Sequence, residues 1–235
     1  MKFSIKMNKR FYPVFIMFVL LAALPNASVA QQNEFGNWLM YFGTNRLTDD
    51  WSIHSEVQYR NHTIEPVNIE QLLLRTGLNY HLTKNAILTA GYGYIASHDF
   101  ESDQKAPESR EHRLFQQLIL INKVSRLKFE HRYRYEQRWV NDDFKTRLRY
   151  RLMVFLPLNK PTITKGTIFL GIYDEIFLNV KQTFFDRNRF YVALGYQFSK
   201  TTQMQLGYLR QRVNPFGKDY LQVAVVFNPD FRKEK

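Results

Sequence analysis

Two neighbouring segments of the chain, both within residues 126–156, alternate charged and apolar side chains with a period of two. Successive side chains of a β-strand point to opposite faces, so this period predicts two strands that each have one charged and one apolar face. The charged faces carry Lys128, Glu130, Arg132, Arg134, Glu136 and Arg138, then Lys145, Arg147, Arg149 and Arg151. The opposite faces carry Phe129, His131, Tyr133, Tyr135 and Trp139, then Leu148, Tyr150, Leu152, Val154 and Leu156.

The outward rows decide between two β architectures. In a soluble sandwich the apolar faces would pack inside and the charged rows would meet water. Here the apolar rows are also aromatic and run the full length of each segment, which is typical of strands with lipid outside and a polar lumen inside. The sequence therefore predicts an all-β fold, a transmembrane antiparallel up-and-down β-barrel.

Export is predicted by the first thirty residues. A basic start at residues 2–10, an apolar run from Val14 to Leu24, Pro25 and the small residues Ser28-Val29-Ala30 follow the order of a secretory signal peptide. The alternative is an uncleaved anchor, but about eleven apolar residues are short for a bilayer span of roughly twenty. We expect residues 1–30 to be a cleaved signal peptide and residues 31–235 to form one β-barrel domain in the bacterial outer membrane.

The composition narrows the function classes. The chain has no cysteine, so it can form neither a disulfide nor a lipoprotein thioether. Its formal net charge is +12, which falls to +8 without the four basic residues of the signal peptide. A basic chain with 14 Tyr and 20 Phe could offer stacking platforms to nucleic acid. The export signal and the alternation of Arg with apolar residues argue against that, so no nucleic-acid partner is expected.

Eleven strand-like segments follow the signal peptide, separated by polar turns such as Thr48-Asp49-Asp50 and Asn141-Asp142-Asp143. Each has about ten or more residues, long enough to cross a bilayer when tilted. Single-chain bacterial barrels normally have an even number of strands, so we expect ten to twelve, with twelve preferred. The segments are 35–46, 51–62, 69–80, 86–97, 111–122, 126–138, 143–156, 167–178, 187–198, 203–213 and 219–228.

Alternation also assigns side chains to lipid or lumen. The residues expected to face lipid include Trp38, Met40, Phe42, Leu72, Leu74, Leu78, Tyr80, Leu88, Tyr92, Tyr94, Leu118, Leu120, Ile168, Leu170, Ile172, Phe190, Val192, Leu194, Tyr196, Phe198, Leu221, Val223, Val225 and Phe227. The lumen is expected to hold a charge network of Glu56, Arg60, Arg75, Glu111, Arg113, Glu130, Arg132, Arg134, Glu136, Arg147, Arg149, Glu175 and Arg189.

The predicted charge network has two interpretations. As a structural device, its Glu residues pair with Arg on neighbouring strands and fill a narrow barrel, each cross-strand pair contributing about 0.2–1 kcal/mol. As a functional device, an Arg row along a water path selects anions. The sequence thus predicts an outer-membrane barrel of unknown specific role, with a lumen that is structural or a narrow path for small polar or anionic solutes. Outer-membrane lipid and the barrel-assembly machinery are the expected partners.

An outer-membrane barrel enzyme is the alternative function. Lipid A deacylases, phospholipases and proteases of this kind use Ser and His near the rim, and the weak candidates here are His54, Ser55 and His112. A strand points Ser55 away from His54, so only a bulge would join them. The six histidines are scattered, and none shares with another the close spacing on one face that a metal site needs. No catalytic residue, cofactor or metal is predicted.

Several blocks of the mature chain together resemble a known family. They are Glu34-Phe35-Gly36-Asn37-Trp38-Leu39-Met40-Tyr41-Phe42-Gly43, Glu56-Val57-Gln58-Tyr59-Arg60, Glu70-Gln71-Leu72-Leu73-Leu74-Arg75-Thr76-Gly77, Glu111-His112-Arg113, His131-Arg132-Tyr133-Arg134-Tyr135-Glu136-Gln137-Arg138 and Phe185-Asp186-Arg187-Asn188-Arg189. The chain resembles uncharacterised bacterial outer-membrane proteins catalogued as a domain of unknown function, number twenty-four ninety. The resemblance spans essentially the whole mature chain and implies an outer-membrane β-barrel. It carries over no substrate, cofactor or catalytic residue.

Overall fold

Eleven β-strands form a closed barrel in a computed structural model, which describes residues 35–100, 106–180, 183–213 and 215–232. The predicted signal peptide lies outside the described residues. Among those residues, no helix is long and apolar enough to cross a membrane. The strands are β1 (Gly36–Arg46), β2 (Trp51–Thr63), β3 (Asn68–Thr83), β4 (Ala86–Ser97), β5 (Ser109–Val124), β6 (Leu127–Val140), β7 (Asp143–Pro157), β8 (Ile168–Asn179), β9 (Phe185–Gln197), β10 (Thr202–Val213) and β11 (Phe216–Phe227).

The preferred count of twelve strands is wrong, because the described chain closes with eleven. Every strand is antiparallel to the next along the chain, but β1 and β11 pair in parallel, from Gly36 opposite Tyr220 to Gly43 opposite Phe227. With an odd number of alternating strands the first and last run in the same direction, so the barrel can close only through a parallel pair. The expectation of an even count assumed antiparallel pairing at every seam.

Two ends of the barrel follow from this topology. The N-terminal end is where β1 begins at Gly36, and the C-terminal end is where β11 ends at Phe227. The two-residue hairpin turn between β6 and β7 lies at the N-terminal end. Both of its residues, Asn141 (φ 44°) and Asp142 (φ 75°), have left-handed backbone. Positive φ at both central positions suits the strand twist of a tight hairpin, and Asn and Asp tolerate it better than most residues.

The predicted side-chain directions agree with the structure on β2 to β11 and are wrong on β1. Trp38 and Met40 are buried inside the barrel, and Phe42 also lines its interior cavity, whereas Leu39 between them is 47% exposed. Both faces of β1 are apolar, so alternation there carries no contrast that marks the lumen.

Aromatic and aliphatic side chains fill the interior beside β1 and β7 to β11. Phe169 is fully buried in this cluster, and Gly195 opposite it leaves room for the ring, since a Cβ there would lie 2.2 Å from Phe169 Cζ. The buried cluster comprises Trp38, Met40, Met153, Phe155, Phe169, Tyr173, Tyr191, Ala193, Leu209, Tyr220 and Ala224. The remainder of the interior is lined by the charged faces of β2, β3 and β5 to β9 and by the uncharged inner face of β4.

Candidate functional site: the charged interior of the barrel

All thirteen residues of the predicted charge network point inward. Twelve are buried and Glu130 is partly exposed. All of them except Glu136 line one interior cavity of about 810 Å³, whose wall reaches from Arg46 at the C-terminal end to Ser109 at the N-terminal end. Alternation on neighbouring strands therefore brings side chains that are far apart in sequence to one interior space.

Glu136 on β6 is the most enclosed carboxylate of the interior, with no exposed surface. Its Oε1 accepts hydrogen bonds from Nη1 of Arg149 at 2.7 Å and Nη1 of Arg113 at 3.2 Å. Its Oε2 accepts from Nη2 of Arg147 at 2.6 Å, and Arg134 lies 3.8 Å away. A buried charge is tolerated only when paired and hydrogen-bonded, and Glu136 meets that condition through guanidiniums on both neighbouring strands.

A second carboxylate extends this ion-pair network across β7 to β8. Glu175 Oε1 accepts from Arg132 Nη2 at 2.6 Å and from Arg149 Nη2 at 2.8 Å. Arg149 therefore bridges the carboxylates of β6 and β8. The network continues to β9, where Asp186 Oδ2 lies 2.8 Å from Arg147 Nη1. Asp186 was not among the predicted network residues, since its position at the start of β9 fell within an expected connection.

Three further carboxylates pair locally. Glu56 is held by Arg75, whose Nη1 lies 2.6 Å from Oε2, and the ring of His54 contacts the same oxygen at 3.1 Å. Glu111 binds two guanidiniums, Arg113 at 2.6 Å and Arg138 at 2.7 Å. Glu130 pairs with Arg151 at 2.6 Å. Every Glu of the predicted network therefore has an Arg partner.

Guanidiniums and aromatic rings also alternate across the interior. The Cζ of Arg60 lies 4.1 Å from the ring centre of Trp38, and the Cζ of Arg189 lies 4.7 Å from it. Arg189 is also 4.8 Å from the ring of Phe177, which carries Arg149 at 4.2 Å. Cation–π contacts of this kind are strongest where they are shielded from water. This row of stacked groups, Arg60–Trp38–Arg189–Phe177–Arg149, joins β2, β1, β9, β8 and β7 through the inside of the barrel.

The weak enzyme candidates do not come together. His54 faces inward and its ring is hydrogen-bonded to Glu56, whereas Ser55 lies on the opposite face of β2. His112 lies on the outer face of β5, where its ring bonds the hydroxyl of Tyr92 at 2.5 Å. None of the three supplies a Ser–His pair, because the strand remains regular through residues 54–56.

A Ser–His contact does occur between Ser52 on β2 and His81 on β3, which the sequence analysis missed. The Ser52 hydroxyl lies 2.8 Å from His81 Nε2 and accepts a hydrogen bond from Asn79 Nδ2 at 3.0 Å. Ser52 is fully buried, so a substrate carbonyl has no approach to its oxygen. The contact therefore satisfies the buried hydroxyl of Ser52 and does not form an accessible nucleophile. Among the described residues, His, Asp and Glu side chains form no group of three suited to a metal ion.

The fold and this interior define a closed β-barrel with a charged, largely ion-paired lumen. The chain belongs to the family described as "Protein of unknown function (DUF2490)", which it matches over residues 35–222, from the residue before β1 into β11. The family resemblance noted in the sequence is thereby confirmed. A comparison with curated proteins gives no match.

Proposed function

We propose that this chain is an exported β-barrel of the bacterial outer membrane whose interior is held closed by its Glu–Arg network, and which passes only small anions when that network opens. The outer-membrane location, the cleaved signal peptide and the lipid and assembly-machinery partners remain predictions. The observation that carries the proposal is the zero exposure of Glu136 between the guanidiniums of β5 and β7.

The outer surface of the barrel supports a lipid environment. Large apolar side chains occupy outward positions on strand after strand, with exposures such as 43% for Leu74 and 52% for Leu206. Soluble monomers rarely expose contiguous apolar patches larger than a few hundred Å². Together with Leu74 and Leu206, these outward apolar side chains form a belt around the barrel. Its other members include Leu39, Ile53, Val57, Leu78, Leu88, Leu114, Leu148, Leu194, Met204 and Val225. A belt on most strands suits the hydrocarbon core of a bilayer.

Exposed aromatic pairs lie near both ends of this belt. The rings of Trp51 and Tyr80 contact each other at a tilted angle at the C-terminal end, with ring centres 4.7 Å apart, and those of Trp139 and Phe144 do so at the N-terminal end at 5.2 Å. Trp and Tyr favour the headgroup level of membranes, where an apolar ring and a polar edge are both accommodated. These pairs support a bilayer position in which the strands run from one interface to the other.

The sign of the interior charge supports the anion preference. The predicted network contains eight Arg and five Glu, all on the inward face. A fixed positive excess along a narrow water path attracts anions and repels cations. In this proposal the Glu–Arg pairs restrict the path along the interior cavity, while the excess of arginine over glutamate determines which ions enter.

The location is tested by processing and by barrel behaviour. In outer-membrane fractions, the intact mass of the protein should lack about thirty N-terminal residues. A barrel whose backbone is fully paired resists detergent, so unboiled samples should migrate faster on a gel than boiled ones. Recovery in the soluble fraction, or equal mobility of the two samples, would contradict the location.

The closed interior is tested by conductance with a matched pair of tryptophan variants. Wild-type protein in planar bilayers should give small or no conductance. Trp38→Ala removes the ring that Arg60 and Arg189 both contact and should raise the conductance and make it anion-preferring, because it opens a path along guanidiniums. Trp51→Ala, on the outer surface, should leave it unchanged. A large unselective wild-type conductance, or cation preference in Trp38→Ala, would overturn the proposal.

A further inference from the structure

Two buried arginines inside the barrel have no carboxylate partner. Arg60 and Arg189 are 6% and 7% exposed, and among the described residues neither forms an ion pair, whereas the other Arg residues of the predicted network do. A buried, unneutralised guanidinium is costly because it has lost water and gained no counter-charge. Two of them beside the same indole ring, that of Trp38, form a local excess of positive charge.

The hydrogen-bonding capacity of these two arginines is only partly used. Arg189 donates from Nε to Gln211 Oε1 at 2.8 Å, and Arg60 donates to Gln58 and Gln71. A guanidinium has five N–H donors in a planar fork, so within the described part of the chain most of those of Arg189 and some of those of Arg60 have no protein acceptor. Glutamine oxygens orient the two groups without neutralising them.

The charged groups around Arg60 and Arg189 favour an anion at this position. Arg149 and Arg187 are electrostatic neighbours of Arg189, and Glu175 is the acidic group that counters them. On the side of Arg60, the carboxylates of Glu70 and Glu56 act on the guanidinium electrostatically, and the Oε1 of Glu70 also accepts a hydrogen bond from the hydroxyl of Tyr220.

Both arginines line the interior cavity of about 810 Å³, together with Trp38 and Gln222. Two buried atoms of this wall, Trp38 Nε1 and Gln222 Oε1, have no hydrogen-bond partner among the residues that the structure describes, so the polar groups of the wall are incompletely satisfied there. The cavity has room for a small oxyanion with its hydration, since one water occupies about 30 Å³ in the liquid.

We propose that Arg60 and Arg189, which both contact the ring of Trp38, form a binding site for a small soluble oxyanion of the phosphate class. Planar guanidiniums bind phosphate and carboxylate oxygens through paired, charge-assisted hydrogen bonds. The oxygens of a phosphate would accept hydrogen bonds from the unused N–H groups of both arginines, and its charge would neutralise the local positive charge. The site lies within the barrel, so it does not depend on the position of the barrel in a membrane.

The test uses Trp38 as the reporter in detergent-solubilised protein. The Trp51→Phe and Trp139→Phe variant leaves Trp38 as the single tryptophan of the chain. Titration with inorganic phosphate should give a saturable change in its fluorescence and a matching calorimetric heat. Chloride at equal ionic strength should give neither. Phosphatidic acid added to the micelles should also give no change, which distinguishes a soluble anion from a lipid headgroup.

Two arginine variants locate the site within that background. Arg189→Gln should weaken phosphate binding at least about tenfold, as expected for loss of charged hydrogen bonds. The control Arg212→Gln, at an exposed end position of β10, should bind as the parent does. No response to phosphate, an equal response to chloride, a response only to phosphatidic acid, or unchanged affinity in folded Arg189→Gln would overturn the proposal. The parent titration decides even if Arg189→Gln does not fold, because the reporter itself lies at the site.

Discussion

Replacing Glu136 by Gln is expected to lower the free energy of unfolding by about 3–5 kcal/mol. The carboxylate is fully buried and accepts hydrogen bonds from Arg113, Arg147 and Arg149. Gln has nearly the same shape but no charge, so the variant leaves these guanidiniums buried with less counter-charge. Urea unfolding in micelles, followed by tryptophan fluorescence, measures the difference.

Two variants accompany Glu136→Gln. Glu65 lies in the exposed turn between β2 and β3, so Glu65→Gln should change the free energy of unfolding by no more than about 0.5 kcal/mol. Adding Arg147→Gln to Glu136→Gln should recover part of the loss, because one unneutralised cation is removed. A cost below about 1 kcal/mol for Glu136→Gln, or equal costs for Glu136→Gln and Glu65→Gln, would mean that the network does not hold the interior together.

The strands were predictable because most of them have two chemically different faces. On β6 and β7 charge alternates with aromatic or aliphatic residues, and the observed strands Leu127–Val140 and Asp143–Pro157 match the predicted segments within two residues at each end. On β1 one face carries Trp38 and Met40 and the other carries Leu39 and Tyr41, so hydrophobicity does not distinguish the inner face from the outer one. The inner position of Trp38 shows in its contacts with the guanidiniums of Arg60 on β2 and Arg189 on β9, which the sequence alone does not position.

The pairing within the interior depends on barrel closure and was not accessible from the sequence. Alternation places Arg147 on the inward face, but its contact with Asp186, 39 positions away, depends on strand tilt and register. The same holds for Arg60 and Arg189, which meet at Trp38 only because β1 closes the barrel between β2 and β11. The strand count failed for a related reason, since the direction of the closing pair is a property of the whole sheet.

A charge introduced into the outer apolar belt is also expected to destabilise the barrel strongly. Leu74→Arg is expected to lower the free energy of unfolding in a bilayer by about 2–4 kcal/mol, the cost of an arginine near the midplane on the lipid face of a barrel. Leu74 lies in the middle of β3 and is 43% exposed. Its inward neighbour Leu73 is 2% exposed, so the two faces are unambiguous here. Reversible unfolding from lipid vesicles measures the change.

The matched control for Leu74→Arg is Leu158→Arg, in the connection between β7 and β8. Leu158 is 47% exposed, nearly the same as Leu74, but lies beyond the strand ends. In a bilayer the two leucines meet different solvents, so Leu158→Arg should cost about 0–1 kcal/mol, as for positions near the interface. In water both outward leucines would be solvated alike, and the two arginine variants would then differ little. Equal costs would therefore contradict a membrane around this barrel even if the fold itself were correct.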